Sequence, residues 1–198
     1  MDTEKIVIDG TGHIAGKLAA KVAKQLLEGK SVVVLRAEAI ELTGPIERLR
    51  LRYKEYLNKR CLVNPRKGPY HYSEPSKLFH RVVKRMVPHK KFKGASALKR
   101  LTVYDGIPKE YEGVPRMKCP KTLLKACANP VRKHASYGVL CKEFGWKHFE
   151  LAKAQREALE AKEEREMTER KERERKLKEV RESSGFKKEV ENIFNRIE

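Results

Sequence analysis

The sequence predicts an α/β fold on a small, largely parallel sheet, followed by a long charged helical extension. Two observations predict it: the first 36 residues alternate between strand-like and helix-like patterns, and the composition changes after Glu150 to Glu, Lys, Arg and Ala. A chain of 198 residues is long enough for one compact domain with an appendage. We therefore expect an α/β body over residues 1–150 and a helical extension over residues 151–198.

The first 36 residues predict a βαβ unit. Lys5 to Asp9 is a short apolar run that ends at Gly10, and residues 13–28 place apolar side chains on one helical stripe. Ser31 to Arg36 is an almost unbroken β-branched run, which is typical of a strand buried on both faces of a parallel sheet.

The middle of the body predicts two helices, a basic loop and a third strand. Apolar residues recur at helical spacing in residues 45–57 and 73–86, and each segment has a proline suited to a first helical turn. Between them, residues 58–75 combine prolines with basic and aromatic residues, which indicates an extended loop. Residues 101–104 have the pattern of a strand.

The pattern weakens beyond residue 108 and recovers near the C-terminus. We expect a short helix at residues 123–126 and a basic, glycine-containing stretch over 131–146, with Val139 and Leu140 buried. Residues 148–182 have few apolar positions and many oppositely charged pairs four residues apart, which favours a single exposed helix over a coiled coil.

The net charge of +19 lies almost wholly in the body. Residues 151–198 hold 14 Lys or Arg and 13 Asp or Glu, which leaves +18 for residues 1–150. Such an excess favours binding to a polyanion. The chain has no apolar run of about 18 residues and no signal-peptide pattern. We therefore expect a soluble intracellular protein with reduced cysteines.

Two patterns suggest other kinds of site. Gly10-x-Gly12-x-x-Ala15 with Glu38 resembles a dinucleotide fingerprint, but Asp9 would place a carboxylate beside the pyrophosphate and a second mononucleotide-binding half is missing. Cysteines and histidines recur every seven residues at Cys127, His134, Cys141 and His148. These residue types can bind zinc, although structural zinc ligands are usually two to five residues apart. No nucleophile elbow or zinc-protease motif is present. We expect no enzyme activity, no cofactor and no metal.

Basic segments interleaved with aromatic residues predict the binding site. Lys and Arg neutralise phosphates, whereas aromatic rings stack on unpaired bases. The predicted RNA-binding residues are Arg48, Arg52, Lys59, Arg60, Arg66, Lys67, Tyr70, His71, Tyr72, Arg81, Arg85, His89, Lys90, Lys91, Lys93, Lys99, Arg100, Arg132 and Lys133. A small apolar face near the C-terminus is predicted to dock on a partner, and it comprises Phe186, Val190, Ile193, Phe194 and Ile197.

The spacing of three short motifs resembles a family signature. VKRMVP at residues 83–88, GA at 94–95 and LTVYDG at 101–106 are similar to the signature of the universal L-thirteen family of large-subunit ribosomal proteins. Residues 6–27, 32–44 and 137–147 also resemble that family, so the likeness covers residues 4 to 150. The two-residue connection Gly29-Lys30 and the long continuation past Gly106 resemble the archaeal and eukaryotic branch, and the length of the tail favours the eukaryotic one.

The resemblance implies a structural role rather than catalysis. It implies a three-layer α/β/α domain on a four-stranded sheet. The residue pattern itself predicts only three of these strands. It also implies large-subunit ribosomal RNA and neighbouring ribosomal proteins as partners, with no cofactor, no membrane and no small-molecule substrate. The expected location is the cytoplasmic ribosome, with assembly in the nucleolus if the chain is eukaryotic. A free regulatory RNA-binding protein is an alternative that the same basic surface would serve.

Overall fold

The computed structural model describes residues 4–129 and 131–182. The chain divides into two compact units, the first ending at Ala152 and the second beginning at Lys153. The predicted division into a body and an extension after Glu150 stays a prediction. Within the described ranges, no helix is both long and apolar enough to cross a membrane.

The described residues form a mixed α/β structure. The strands are β1 (Lys5–Asp9), β2 (Ser31–Leu35), β3 (Glu41–Thr43), β4 (Leu101–Val103) and β5 (His134–Ser136). The helices are α1 (Ala15–Leu27), α2 (Ile46–Asn58), α3 (Pro75–Met86), α4 (Phe92–Lys99), α5 (Leu124–Cys127), α6 (Tyr137–Glu143) and α7 (Phe149–Glu182). Short 3-10 helices occupy Ala37–Ala39, Pro65–Lys67, Lys109–Tyr111 and Pro120–Thr122.

The main sheet is parallel and has the strand order β1-β2-β4. β1 pairs with β2 from Lys5 opposite Ser31 to Asp9 opposite Leu35. On the other side of β1, Met117 forms a single parallel bridge with Ile8. The predicted α/β class and parallel sheet are therefore confirmed. Where a fourth strand would pair with β1, the described residues form only this one bridge.

The two faces of the sheet are covered differently. Alternate residues of β2 point to opposite sides, as a strand requires: Val32 and Val34 pack in the large core with α1 and α3, whereas Val33 and Leu35 lie in a smaller cluster with Tyr111. Both sets are buried, which confirms that β2 is covered on both faces. The layer over the smaller cluster is irregular chain with the 3-10 helix Lys109–Tyr111.

The structure also has a second, two-stranded sheet that the sequence did not predict. β3 pairs antiparallel with β5, and α6 follows β5 directly. The basic stretch over residues 131–146 therefore contains a strand and a helix, which the sequence did not predict. Leu140 is buried as predicted, but the prediction for Val139 is wrong because its side chain is 40% exposed on the outer face of α6.

The helix α7 has 34 residues and begins within one residue of its predicted start. Its described side chains are mostly exposed, and pairs spaced four residues apart are numerous. Glu169 and Arg173 form one such ion pair at 3.7 Å, and Arg170 and Glu174 form another at 3.0 Å. Each such pair contributes only about 0.2 to 0.5 kcal/mol.

Candidate nucleic-acid interface

The positive charge of the body is concentrated in one continuous part of the chain. Residues 56–104 contain 13 Lys or Arg and a single acidic residue, Glu74, which gives a net charge of +12. This part comprises the loop between α2 and α3, the helices α3 and α4, and β4. Two thirds of the +18 of the body therefore lies in a third of its length.

The loop between α2 and α3 is anchored by neutral hydrogen bonds. The hydroxyls of Tyr53 and Tyr56 on α2 donate to the backbone carbonyls of Tyr72 and Tyr70, the second at 2.9 Å. His71 Nε2 donates to the carbonyl of Lys59 at 2.8 Å. Three consecutive residues of the loop are thus tied to one end of α2 without using any of the loop's charges.

The N-terminus of α3 is fixed from the end of β4. Asp105 accepts two hydrogen bonds from Ser76, one from its backbone N–H and one from its hydroxyl, both at 2.9 Å. A carboxylate at a helix N-terminus is favoured by the unpaired backbone donors there. Burial nevertheless raises the pKa of Asp105 to about 6, against the effect of the bonds from Ser76.

The outward face of α3 carries a basic stripe at helical spacing. Its inward face packs Leu78, Phe79 and Val83 into the core. The stripe consists of Lys77, His80, Arg81, Lys84 and Arg85. Together with Tyr70, Tyr72 and His89, these five side chains line an open cleft of about 470 Å³, hereafter the α3 cleft.

The charges in the α3 cleft are only partly compensated. Lys77 pairs with Glu74 at 2.8 Å. The Arg81 guanidinium lies over the ring of Tyr56, 4.1 Å from the ring centroid, which is a cation–π contact. The pKa of Arg81 is lowered mainly by partial burial and to a lesser extent by the neighbouring Arg85. The pKa of His80 is lowered mainly by burial and to a lesser extent by Lys84. Like charges therefore crowd this cleft.

A second cleft of about 310 Å³ lies between α2 and α3. Its floor is apolar, with Leu49, Tyr53 and Leu78 among its lining residues. Its basic lining residues are Arg52, Lys59, Arg81 and Arg85, so the last two belong to both clefts. The two clefts thus form one continuous basic surface along α3.

Comparisons with known proteins identify the family. Residues 3–110 match the family model described as ribosomal protein L13. The chain is 43% identical over 182 residues to the large ribosomal subunit protein uL13 of Spodoptera frugiperda, which covers 92% of this chain and 87% of that protein. It is 41% identical over 157 residues to the protein of the same name in Drosophila melanogaster, covering 79% and 77%.

The chain belongs to the ribosomal protein L13 family. The predicted resemblance is therefore confirmed, and both relatives are eukaryotic, as the predicted branch requires. A match of 182 residues is longer than residues 4 to 150, so the likeness reaches into the charged extension. The relatives are ribosomal proteins, and the chain is not an enzyme, as predicted.

In this L13-family chain most predicted RNA-binding residues are exposed. Five of them are half-buried instead, namely His71, Tyr72, Arg81, His89 and Arg100. The exposed ones are Arg48, Arg52, Lys59, Arg60, Arg66, Lys67, Tyr70, Arg85, Lys90, Lys91, Lys93, Lys99, Arg132 and Lys133. Their role in RNA binding stays a prediction.

The structure brings only some of the predicted residues together. Five of them line the α3 cleft, whereas Lys99 and Arg100 lie at the far end of α4, about 12 Å from its first residue for a helix of this length. Arg100 Nη2 donates to the carbonyl of Leu26 at 2.7 Å and so stabilises the C-terminus of α1. Lys133 lies near the start of α2, where its carbonyl accepts from Gly44 N–H at 2.8 Å.

Three residues of the α3 cleft were absent from the predicted site. They are Lys77, His80 and Lys84. The signal that finds them is their spacing with Arg81 and Arg85, since positions i, i+3, i+4, i+7 and i+8 share one face of a helix. The predicted partner-docking residues Phe186, Val190, Ile193, Phe194 and Ile197 lie outside the described residues.

The backbone donors of the glycine turn before α1 form hydrogen bonds within the protein. Gly10 N–H donates to the carbonyl of Leu35 at 2.8 Å, and Gly12 N–H donates to that of Ala39 at 3.2 Å. His13 is buried, accepts from Cys119 N–H at 3.0 Å, and has its pKa lowered by burial. Glu38 is also buried and accepts from Gly106 N–H at 2.9 Å. The N–H groups of Gly10 and Gly12 and the carboxylate of Glu38 are thus already bonded within the protein, which argues against a dinucleotide site here.

The four residues of the seven-residue repeat lie in different surroundings. Cys141 is buried in the large core, where burial raises the pKa of its thiol to about 12. Cys127 Sγ donates to the carbonyl of Lys121 at 2.8 Å. Among residues 4–129 and 131–182, no group of three or more His, Cys, Asp or Glu side chains lies close enough to hold a metal ion.

Proposed function

We propose that this protein is a structural constituent of the large ribosomal subunit that binds large-subunit ribosomal RNA and supports cytoplasmic translation. The observation that carries the proposal is the net charge of +12 over residues 56–104, most of it on exposed side chains of the α/β structure. The relatives' name, large ribosomal subunit protein uL13, supports the same assembly.

The basic surface suits the backbone and shape of folded RNA. Lys and Arg neutralise phosphates and release condensed counterions, and most such contacts position the protein rather than read a sequence. The loop over residues 58–75 precedes α3 in the chain and the segment over residues 85–100 follows it, and both would contact RNA. Because residues 70–72 are held by two hydrogen bonds from α2 and one to Lys59, this end of the loop loses less conformational entropy on binding.

Neighbouring ribosomal proteins are the second class of partner. The charge of residues 151–198 is nearly balanced, so RNA has little electrostatic attraction for this extension as a whole. We propose that residues 151–198 form a separate extension and that the apolar side chains of 186–197 dock on a protein.

Sedimentation of a cell lysate through sucrose tests the proposal. The protein is followed by antibody against both ribosomal subunits and free ribonucleoprotein, at moderate and at high salt. Co-migration with the large subunit at both salt concentrations is the expected result. Presence only in light ribonucleoprotein fractions would reject a ribosomal role and favour the free regulatory RNA-binding alternative.

A further inference from the structure

The side chain of Tyr70 is 74% exposed although its backbone is held in place. It lies at the α3 cleft beside Tyr72, with 5.0 Å between the two ring centroids. We propose that the α3 cleft takes one unpaired nucleotide of an RNA strand, with its phosphate on the basic stripe of α3 and its base stacked on Tyr70. This inference rests on the proposed function and specifies what that site binds.

The ring of Tyr70 is pre-organised for stacking. Tyr56 holds the backbone carbonyl of Tyr70, Tyr53 holds that of Tyr72, and the ring of His71 holds the carbonyl of Lys59. The chain from the carbonyl of Tyr70 to that of Tyr72 is therefore held in place before RNA arrives. Pre-ordering increases affinity because less conformational entropy is lost on binding.

The stripe supplies the charge that a phosphate requires. Within residues 56–104 the single carboxylate belongs to Glu74, and it pairs with Lys77 at the first turn of α3. The remaining four basic positions of the stripe face the same cleft. Burial, and then the neighbouring cations Arg85 and Lys84, lower the pKa of Arg81 and of His80, and a phosphate there would favour their charged forms.

An unpaired nucleotide fits this arrangement better than a duplex does. Bases within an A-form duplex are stacked on each other and offer no face to an aromatic ring, whereas a bulged or looped base does. The cleft volume of about 470 Å³ lies within the range of about 300 to 1,000 Å³ that is usual for sites of small ligands. A cleft of this size has room for one nucleotide.

The chain provides a matched control for stacking. Phe92 is also an exposed aromatic residue of the basic region, at 88% exposure, but it does not line the α3 cleft. It is flanked by Lys91 and Lys93, so its electrostatic setting is similar. Replacing Phe92 with Ala therefore removes an exposed ring near basic residues without altering the cleft.

The experiment binds the purified full chain to a transcript of the organism's large-subunit ribosomal RNA. Affinity is measured by filter binding, and base accessibility is mapped with base-specific chemical probes. The variants are Tyr70→Ala, Tyr70→Phe, the double variant Lys84→Gln with Arg85→Gln, and the control Phe92→Ala. Far-UV circular dichroism and urea unfolding check that each variant is folded.

Stacking predicts a specific pattern of losses. Tyr70→Ala should weaken binding about tenfold, within the range measured for the loss of one stacked base, and should expose one unpaired base to the probes. Tyr70→Phe should bind as the wild type does, because the ring is kept. The double variant should lose backbone protection at the same or the adjacent nucleotide, and Phe92→Ala should leave that base protected.

Two results would overturn the inference and leave the proposed function intact: rRNA binding that is equal for the wild type and Tyr70→Ala, or protection by the cleft that lies only within duplex RNA. Normal rRNA binding by every cleft variant, combined with failure to enter large subunits, would assign the cleft to a protein partner. A wild-type protein that does not bind the transcript would reject both proposals.

Discussion

At the scale of single residues, the start of α4 depends on a glycine. A Cβ atom added at Gly94 would lie 2.1 Å from the carbonyl oxygen of Pro88 and 2.9 Å from the nitrogen of His89. Both are backbone atoms, so the clash cannot be relieved by turning a side chain. Gly94 thus allows the turn after α3 to pack against α4, and this turn and the start of α4 carry Lys90, Lys91 and Lys93.

Replacing Gly94 with Ala should lower the free energy of unfolding by about 1 to 3 kcal/mol, the typical cost of an over-packed site. Gly16 provides the control because a Cβ there meets nothing within 4 Å. Gly16→Ala, at an exposed position of α1, should raise stability by about 0.5 kcal/mol. Urea unfolding measures both changes, and equal stability of the two variants would contradict the close packing.

Asp105 predicts a pH dependence of stability. Its folded-state pKa is raised to about 6 from 3.8, chiefly by burial, so the folded protein holds this proton more tightly than the unfolded chain does. The stabilisation from protonation is complete below about pH 4 and is lost as the pH rises through 6. Asp105→Asn keeps an acceptor for Ser76 but removes the titration.

Urea unfolding of the wild type and of Asp105→Asn between pH 4 and 7.5 measures this effect. The stability of the wild type relative to the variant should fall from pH 4 to about 6.5 and then level off. A difference that is constant with pH would show that Asp105 titrates normally in the folded protein. A difference that increases with pH would show a lowered pKa.

At the scale of elements, the sequence predicts what local periodicity encodes. The bounds of β1, α2 and α3 agree with the predictions to within about two residues, because each has an apolar stripe or run and a clear start or stop signal. The helix α4 was missed because its inward face is small, with only Gly94 and Ala97 buried. The pairing of β3 with β5 was missed because partners such as Glu41 and Ser136 are distant in sequence.

The site shows the same division between local and long-range information. The basic and aromatic composition of the loop and of α3 was sufficient to predict most residues of the α3 cleft. Composition does not show that residues 70–72 are held by Tyr53, Tyr56 and Lys59, because those hydrogen bonds join residues 12 to 19 positions apart. The structure is needed to separate residues that anchor the loop, such as Tyr56 and His71, from those left exposed.

The loop anchors predict a local change in mobility. Tyr56→Phe removes the hydroxyl that donates to the carbonyl of Tyr70, while the ring keeps its contact with Arg81. We expect a loss of about 1 kcal/mol in stability and faster trypsin cleavage after Arg60, Arg66 and Lys67. Tyr104→Phe, a similar change outside the loop, should leave these cleavage rates unchanged. Unchanged rates in Tyr56→Phe would mean that this bond does not order the loop.

At the scale of the whole molecule, charge is arranged by position rather than spread evenly. The helix α1 also carries exposed lysines, at 17, 21 and 24, yet it is not part of the basic region of residues 56–104. A general attraction between a cation of +18 and RNA would depend on the number of charges alone. Binding through a defined surface depends on where those charges lie.

Two triple variants with the same net charge separate these possibilities. One replaces Lys90, Lys91 and Lys93 with Gln, and the other replaces Lys17, Lys21 and Lys24. If the segment at the start of α4 contacts phosphates, the first variant should bind ribosomal RNA more weakly. The plot of log affinity against log salt should also become less steep, by roughly 2 in slope, since each lost phosphate contact removes about 0.7 to 0.9. The second should retain most of the wild-type slope. Equal slopes in the two variants would mean that total charge, and not the surface around α3 and α4, determines how this protein binds RNA.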